Sequence, residues 1–185
     1  MLKKIKLLII FVIIVVLIIF FTIITLKKFI YKIDYLDIIE EHTSEFNVDP
    51  YLVLSVIKAE SGFNKEATSK KGACGLMQLI DTTAKETYEN LNNGEELEDG
   101  KIYDEKTNII LGTKYLSDLI KRYNGNYYIA IVAYNAGIGN VDKWIENGII
   151  NQNFDYESIK NIPFSETKKY TKNVINNYKI YKFLY

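Results

Sequence analysis

The stretch that decides the fold, residues 53–63, reads VLSVIKAESGF. Its apolar residues recur at helical spacing, so Val53, Val56 and Ile57 share one helix face with Glu60. A carboxyl group on an apolar face is costly to ionise, and we therefore expect the pKa of Glu60 to be raised. A carboxylic acid that keeps its proton near neutral pH can serve as a general acid. The alternative is a half-exposed glutamate that merely ends a helix, because structural networks also perturb carboxylates.

Charge and composition narrow the class of protein. The 185 residues carry 23 basic and 23 acidic side chains, but six lysines precede the first acidic residue, Asp34. The remainder of the chain is therefore mildly acidic, which argues against nucleic acid as a partner. Cys74 is the single cysteine and His42 the single histidine, so neither an intramolecular disulfide nor a usual zinc site can form. The sequence has no phosphate loop or dinucleotide signature, and we predict no cofactor and no metal.

Residues 1–32 are predicted to be a membrane anchor with basic flanks. From Leu7 to Leu26 no residue is charged, and twenty residues at about 1.5 Å each match the roughly 30 Å hydrocarbon core of a bilayer. The alternative is a cleaved signal peptide, but the apolar run is long and no small-residue cleavage site follows it. Three lysines flank each end, so the positive-inside rule only leans toward a cytoplasmic N-terminus. In that orientation residues 33–185 form a domain on the extracytoplasmic side of the cell membrane.

The first part of this domain reads as helices joined by loops. A short helix is expected from about Tyr35 toward Phe46. Asp49 and Pro50 predict the start of the next helix, with the aspartate as its cap and the proline in its first turn. Residues 64–79 read as a loop with turns that could hold a small hairpin.

Capping and helix-ending residues predict two more helices. Thr83 and Glu86 fit a capping box for a helix that ends near Leu91. Asp104 is predicted to cap the longest internal helix, which Gly125 would end.

The last third of the chain is also helical in pattern. Residues 127–136 are almost wholly apolar and predict a short buried helix, broken by Gly137 and Gly139 before a segment around Trp144. A final helix carries an aromatic and apolar stripe that we expect to form core and groove wall. The stripe consists of Tyr170, Val174, Tyr178 and Tyr181.

Five motifs occur in order across this domain. They are Glu60-Ser61 with Ser69, Gly75-Leu76-Met77-Gln78, Asn108-Ile109 with Gly112, Tyr115 and Leu116, Ala133-Tyr134-Asn135-Ala136-Gly137, and Pro163-Phe164 with Glu166, Thr167 and Tyr170. Together they resemble the soluble lytic transglycosylase family, whose catalytic domain has a lysozyme-like fold. The resemblance covers about residues 45–182. It implies a mainly α, lysozyme-like (α+β) domain behind one N-terminal transmembrane helix.

The resemblance also implies a reaction. Glu60 would protonate the oxygen that links N-acetylmuramic acid to N-acetylglucosamine in peptidoglycan, and would then take the proton from the sugar's own O6. The ring would close to a 1,6-anhydro product without water, while the substrate's acetamido carbonyl shields the charge at C1. Substrate-assisted chemistry of this kind is an exception to the usual pair of carboxylates.

Two other functions stay open. A goose-type muramidase would hydrolyse the same bond with water and a second carboxylate. A non-catalytic glycan-binding module of an envelope complex would keep the fold without the reaction. The partners implied are peptidoglycan strands and the membrane, and envelope machinery is a further candidate partner.

The same resemblance implies five substrate-binding residues, and most of them have a structural alternative. Ser69 would donate a hydrogen bond to the acetamido group or to Glu60. Gln78 could instead lock its loop, and Tyr134 could simply pack between helices. Asn135 could cap the turn before Gly137, and Glu166 could merely favour the start of its helix. The residues expected to shape the motifs are Ser61, Gly75, Leu76, Met77 and Gly137.

Overall fold

The fold is almost entirely helical. The computed structural model describes residues 2–185, and within that range eight α-helices and no β-strand form. The prediction of a mainly α fold is therefore confirmed. Single turns of other helix types lie at Leu26–Ile30, Lys101–Tyr103 and Glu157–Asn161. The helices are α1 (Leu2–Thr25), α2 (Leu36–Phe46), α3 (Pro50–Glu60), α4 (Asp81–Leu91), α5 (Glu105–Arg122), α6 (Tyr127–Ala136), α7 (Ile138–Glu146) and α8 (Ser165–Leu184).

The core is built on α3 and α8, which make the most extensive helix pair. The predicted cap of α3 forms, because the Asp49 side chain accepts a hydrogen bond from the Tyr51 amide at 2.9 Å. The hydroxyl of Tyr178 donates to the other oxygen of Asp49 at 2.8 Å, whereas Glu60 lies beside Tyr170. The two helices therefore run antiparallel, with the end of α3 next to the start of α8.

Apolar burial explains this pairing. The α3 side chains Val53, Val56 and Ile57 are fully buried, and they pack in one cluster with Val174 and Ile175 of α8. Burying each such side chain stabilises the fold by roughly 1.5–3 kcal/mol relative to exposure. Glu60 continues the buried face of α3 to its last residue, as the sequence pattern predicted.

Two local predictions about helix boundaries were wrong. Helix α4 begins at Asp81, so Thr83 lies inside the first turn and does not cap it. A negative charge is favourable at this position because of the helix dipole, and Asp81 also pairs with Lys85 at 2.9 Å. Gly139 lies within α7 and breaks nothing. Gly137 alone makes the corner between α6 and α7, with a φ of +82° that favours glycine.

The loop between α3 and α4 does not contain a regular hairpin. Two isolated bridges form instead, between Thr68 and Cys74 and between Cys74 and Leu79. Gly72 and Gly75 both have positive φ values, of +78° and +77°. Both residues adopt a left-handed backbone that glycine tolerates, and the chain turns at each of them.

Helix α1 is long and apolar enough to cross a membrane. Together with the turn that follows it, the candidate span is Lys3–Ile30, and none of its most apolar window is buried against the rest of the chain. Leaving so much apolar surface in water would be unfavourable. The predicted anchor is compatible with this arrangement, and its side of the membrane stays a prediction.

Candidate active site

A cleft of about 520 Å³ opens where α3 ends and α8 begins. Its floor and walls come from the 64–80 loop, from α5 and from the corner between α6 and α7. All six of the predicted catalytic and binding residues line it, so one cavity brings together residues more than a hundred positions apart. They are Glu60, Ser69, Gln78, Tyr134, Asn135 and Glu166.

Glu60 is the last residue of α3, and its carboxyl group is largely withdrawn from water. Burial raises its pKa from the ordinary 4.5 to about 7. The hydroxyl of Tyr170 acts in the opposite direction, because it favours the ionised carboxylate. Glu60 is therefore poised to hold a proton near neutral pH and to release it without leaving that range.

Two partly buried tyrosines lie near this carboxyl group. Tyr134 donates a hydrogen bond to the main-chain oxygen of Met77 at 2.8 Å. The hydroxyl of Tyr170 is buried and makes no hydrogen bond of ordinary geometry within residues 2–185. Burial, followed by the negative charge of Glu60, raises the pKa of each phenol well above 10. Both hydroxyls therefore keep their protons when Glu60 ionises.

The Gly75–Gln78 turn is fixed to α3 through Ser61. The Ser61 hydroxyl donates to the Leu76 carbonyl at 2.8 Å and accepts from the Phe63 amide at 3.2 Å. Leu76 and Met77 are themselves fully buried. The motif residues thus hold the turn beside Glu60.

Asn108 of α5 fixes the same turn from the opposite side. Its side-chain oxygen accepts from the Met77 amide at 2.7 Å, and its nitrogen donates to the carbonyls of Ile102 at 2.8 Å and Cys74 at 3.1 Å. A Cβ on Gly75 would lie 2.3 Å from that nitrogen. Position 75 must therefore be glycine for Asn108 to reach the turn.

Ser69 and Gln78 differ in which of their hydrogen-bonding groups the loop already uses. The Ser69 oxygen accepts from the amides of Ala73 at 3.0 Å and Lys71 at 3.3 Å, so its own proton stays available to a ligand. The Gln78 amide nitrogen donates to the carbonyls of Ala67 at 2.9 Å and Gly75 at 3.0 Å. The loop-locking role thus occupies both amide protons of Gln78, and its side-chain oxygen remains for substrate.

Asn135 and Glu166 lie further out along the cleft. Asn135 does not cap the turn before Gly137, since Asn140 donates to the Ala136 carbonyl at 2.7 Å instead. The Glu166 side chain is 76% exposed, and one of its oxygens lies 3.6 Å from the Lys71 ammonium group. Among the described residues that line the cleft, Glu60 and Glu166 supply the carboxyl groups, and Glu60 is half-buried whereas Glu166 is exposed.

Sequence reasoning gave too little weight to three residues. Tyr170 was assigned to the core and groove wall, but its hydroxyl lies beside Glu60. Tyr115 lines the cleft and packs on Tyr134 with ring centroids 5.5 Å apart. Asn108 carries the hydrogen bonds of the turn. Tyr170 follows Glu166 by four residues and so shares its helix face, a signal that could have placed it in the site.

Comparisons with known proteins agree with this geometry. The transglycosylase SLT domain family matches residues 37–155. The soluble lytic murein transglycosylase of Escherichia coli K12 is 33% identical over 147 residues, which cover 78% of this chain and 22% of that protein. The membrane-bound lytic murein transglycosylase C of Edwardsiella ictaluri is 32% identical over 166 residues, which cover 80% of this chain and 46% of that protein. The chain thus spans less than half the length of these relatives.

Solved structures share the fold. The 70-kDa soluble lytic transglycosylase of E. coli superposes with a TM-score of 0.76 and 31% identity, over 83% of this chain and 25% of that one. An inactive glutamate-to-glutamine mutant of lytic transglycosylase Slt from Pseudomonas aeruginosa gives a TM-score of 0.73 and 30% identity, over 82% and 24%. Since the family match covers well over half of the sequence and the fold agrees, this chain belongs to the transglycosylase SLT domain family.

Proposed function

We propose that residues 33–185 form a peptidoglycan lytic transglycosylase. The observation that carries this proposal is the half-buried Glu60, whose pKa is raised to about 7 in a cleft of about 520 Å³. The relatives named as soluble and membrane-bound lytic murein transglycosylases support it. One related enzyme is inactive once a single glutamate becomes glutamine, which fits chemistry that depends on one carboxyl group.

The reaction needs one acid that later becomes a base. Protonated Glu60 gives its proton to the oxygen between N-acetylmuramic acid and N-acetylglucosamine, and the bond from that oxygen to C1 breaks. The acetamido carbonyl of the muramic residue shields the positive charge at C1. The Glu60 carboxylate then takes the O6 proton, and O6 bonds to C1. Glu60 ends protonated, as it began, and no water is consumed.

Neighbouring residues stabilise the two states of Glu60. The phenol of Tyr170 has no other hydrogen-bond partner among residues 2–185, and it donates to the carboxylate until the O6 proton is transferred. Tyr134 lines the cleft, and its hydroxyl is fixed by the Met77 carbonyl, so that the ring supports the substrate next to Glu60. Both groups act as fixed dipoles in a site shielded from water, where such interactions are strongest.

Each proposed binding residue is assigned a role from the hydrogen-bond donor or acceptor that it does not use within the protein. Ser69 has a free proton and donates to the acetamido carbonyl. Gln78 has a free oxygen and accepts from a sugar hydroxyl or amide. Asn135 has an amide without a competing hydrogen bond in the described chain and binds hydroxyls further along the cleft. Glu166 is solvated at the rim and contacts the sugar that leaves.

Hydrolysis is the second candidate, and Glu166 is the observation that favours it. Glu166 is the other carboxyl group at the cleft, and a hydrolase needs a base for water. Its side chain is largely exposed and close to Lys71, so it is poorly placed to hold one water under Glu60. We therefore favour transglycosylation.

Mass spectrometry of the products separates these functions. Full-length protein in detergent is incubated with isolated peptidoglycan, and the released muropeptides are weighed. Transglycosylation gives anhydro products that are one water lighter than hydrolysis products. Products of the heavier mass that disappear in the Glu166→Gln variant would establish the hydrolase. If the wild type releases no more product than the Glu60→Gln variant does, the result favours a non-catalytic module.

The proposed location follows from α1 and from the membrane-bound relative. Helix α1 crosses the cell membrane once, and the domain lies on the extracytoplasmic side, where peptidoglycan is found. The long apolar run and the lysines at its ends support this arrangement.

A further inference from the structure

The segment between α1 and the domain is bound to the domain along its length. The Tyr185 hydroxyl lies 2.9 Å from the carbonyl oxygen of Tyr31 and 3.3 Å from that of Lys27. Tyr181 donates to the carbonyl oxygen of Lys32 at 3.3 Å. Lys58 of α3 donates to the carbonyl oxygen of Ile30 at 2.5 Å. These contacts fix residues 27–32 against the domain.

Aromatic packing strengthens the same junction. The ring of Tyr31 meets Tyr181 edge to face, with centroids 5.3 Å apart. The Lys27 ammonium group lies 4.3 Å from the centre of the Tyr185 ring, and the Lys58 ammonium group lies 4.7 Å from that of Tyr31. Cation–π contacts of this kind stabilise by roughly 0.5–1 kcal/mol each at exposed sites. Helix α1 therefore meets the domain at the C-terminal end of α8.

An exposed apolar patch lies at this junction. Phe183 is 79% exposed and Phe29 is 70% exposed, and Ile30 and Tyr185 are also exposed. We call these four residues the juxtamembrane patch. Single exposed apolar residues are common on domain surfaces, but several together beside a candidate membrane span indicate contact with lipid.

Basic residues border the patch. Lys28 and Lys182 directly precede Phe29 and Phe183 in the sequence. The Lys27 ammonium group lies over the Tyr185 ring, and that of Lys182 lies 3.5 Å from Asp49. Ammonium groups at such positions suit anionic headgroups. The patch is also continuous with the candidate membrane span, which ends at Ile30. Both the chemistry and the position thus fit the surface of the same bilayer.

We infer that the juxtamembrane patch inserts into the headgroup layer of the bilayer that α1 crosses, and that it holds the domain in one orientation. This inference rests on the proposed membrane anchoring. Glu60 and Tyr170 lie at the opposite end of the antiparallel α3–α8 pair. The cleft therefore lies away from the lipid, about 26 Å along α8 from Phe183 to Glu166 at 1.5 Å per residue.

Spin labels on the full chain test the inference. The chain carries Cys74→Ser and one new cysteine, and it is reconstituted into vesicles of phosphatidylethanolamine and phosphatidylglycerol. Phe183→Cys probes the patch, and Ile14→Cys probes the span. Lys172→Cys is the matched control, because it is exposed on the same face of α8, three turns nearer the cleft. The measurement compares access to oxygen, which dissolves in lipid, with access to a water-soluble nickel chelate.

We expect the label at 14 to be deep, the label at 183 to lie in the headgroup layer and the label at 172 to be in water. The ratio of oxygen to nickel access should be at least about threefold higher at 183 than at 172, as for a side chain sunk 5–10 Å into the interface. Equal, water-like ratios at both sites would overturn the inference and keep the anchor. Immersion of both would also overturn it, because the domain would then lie flat. A water-exposed label at 14 would refute the anchor itself and leave the cleavage reaction unaffected.

Discussion

The hydroxyl of Tyr170 lies against the carboxyl group of Glu60, and the two residues act on each other in opposite directions. The phenol lowers the pKa that burial raises in Glu60, while the carboxylate charge helps to raise the pKa of the phenol. The phenol thus favours the ionised form of Glu60, while the ionised form of Glu60 keeps the proton on the phenol. This coupling is what a single acid and base requires.

Replacing Glu60 with glutamine should abolish peptidoglycan cleavage and keep the fold. The side chain retains its shape but loses the proton that is transferred, and each such transfer is worth about 10²–10⁴-fold in rate. Turnover of isolated peptidoglycan measures the loss, and circular dichroism checks the fold. More than a tenth of wild-type activity in the variant would refute the assignment.

The stability of the domain should fall as the pH rises from 4.5 through 7. In the folded chain the pKa of Glu60 is raised to about 7, so the folded state holds its proton more tightly than the unfolded state. The stabilisation is complete below pH 4.5 and is lost above pH 7, and it amounts to about 3 kcal/mol at most.

Glu60→Gln should remove this dependence. At pH 8 the variant should therefore melt at a higher temperature than the wild type, and at pH 4.5 the two should be alike. Thermal melting of the full-length chain in detergent at both pH values measures the difference. Parallel melting curves across the range would show that Glu60 ionises freely in the folded protein.

Tyr170→Phe should move the alkaline limb of the pH–rate profile upward by about one unit or less. The variant loses the hydroxyl that favours ionised Glu60, so the glutamate should keep its proton to higher pH. Stability should change by less than about 1 kcal/mol, because the hydroxyl makes no hydrogen bond of ordinary geometry in the described chain. Tyr178→Phe is the control, since that hydroxyl binds Asp49 at the far end of the helix pair. An identical shift in both variants would contradict a specific role for Tyr170.

Gly75→Ala should destabilise the domain by about 2 kcal/mol more than Gly72→Ala. Both glycines have nearly the same positive φ, so the cost of the backbone conformation is matched. A Cβ at 75 meets the Asn108 side chain at 2.3 Å, whereas nothing lies within 4 Å of a Cβ at 72. Urea unfolding of the two variants measures the difference, and equal losses would mean that Asn108 gives way.

The anchored enzyme should act mainly on peptidoglycan close to the membrane. In cells with a thick wall that has been pulse-labelled, the full chain should release recent label before old label. Digestion of isolated wall by the same protein in detergent provides the control, since both ages of label are then accessible. Equal release of old and new label in cells would refute the confinement and leave the catalytic assignment intact.

Features that depend on residues close together in sequence were predicted correctly in most cases. Asp49 and Asp104 accept hydrogen bonds from the first turns of α3 and α5, so those starts were correct. The apolar face of α3 was enough to anticipate a raised pKa for Glu60. Helix α4 was misread because its cap position is Ile80, which has no side-chain hydrogen bond to recognise.

Other features depend on contacts between distant residues. Tyr170 is 110 positions after Glu60, and although its spacing from Glu166 indicates the helix face, only the folded chain shows that its hydroxyl lies beside Glu60. The two donations of Gln78 depend on how the loop folds back on Ala67 and Gly75. Residues 27–33 look like a short tether in the sequence, but tyrosines at the other end of the chain bind their carbonyls.

The pairing of α3 with α8 also means that the cleft cannot be complete before α8 has been synthesised. Residues up to Glu60 emerge early in synthesis, but the helix that covers their apolar face and supplies Tyr170 emerges more than a hundred residues later. Pairing segments so far apart in sequence carries a large loop-closure cost, which slows folding. A chain whose last helix has not yet docked therefore has an incomplete cleft, and on the proposed function it should not yet cleave peptidoglycan.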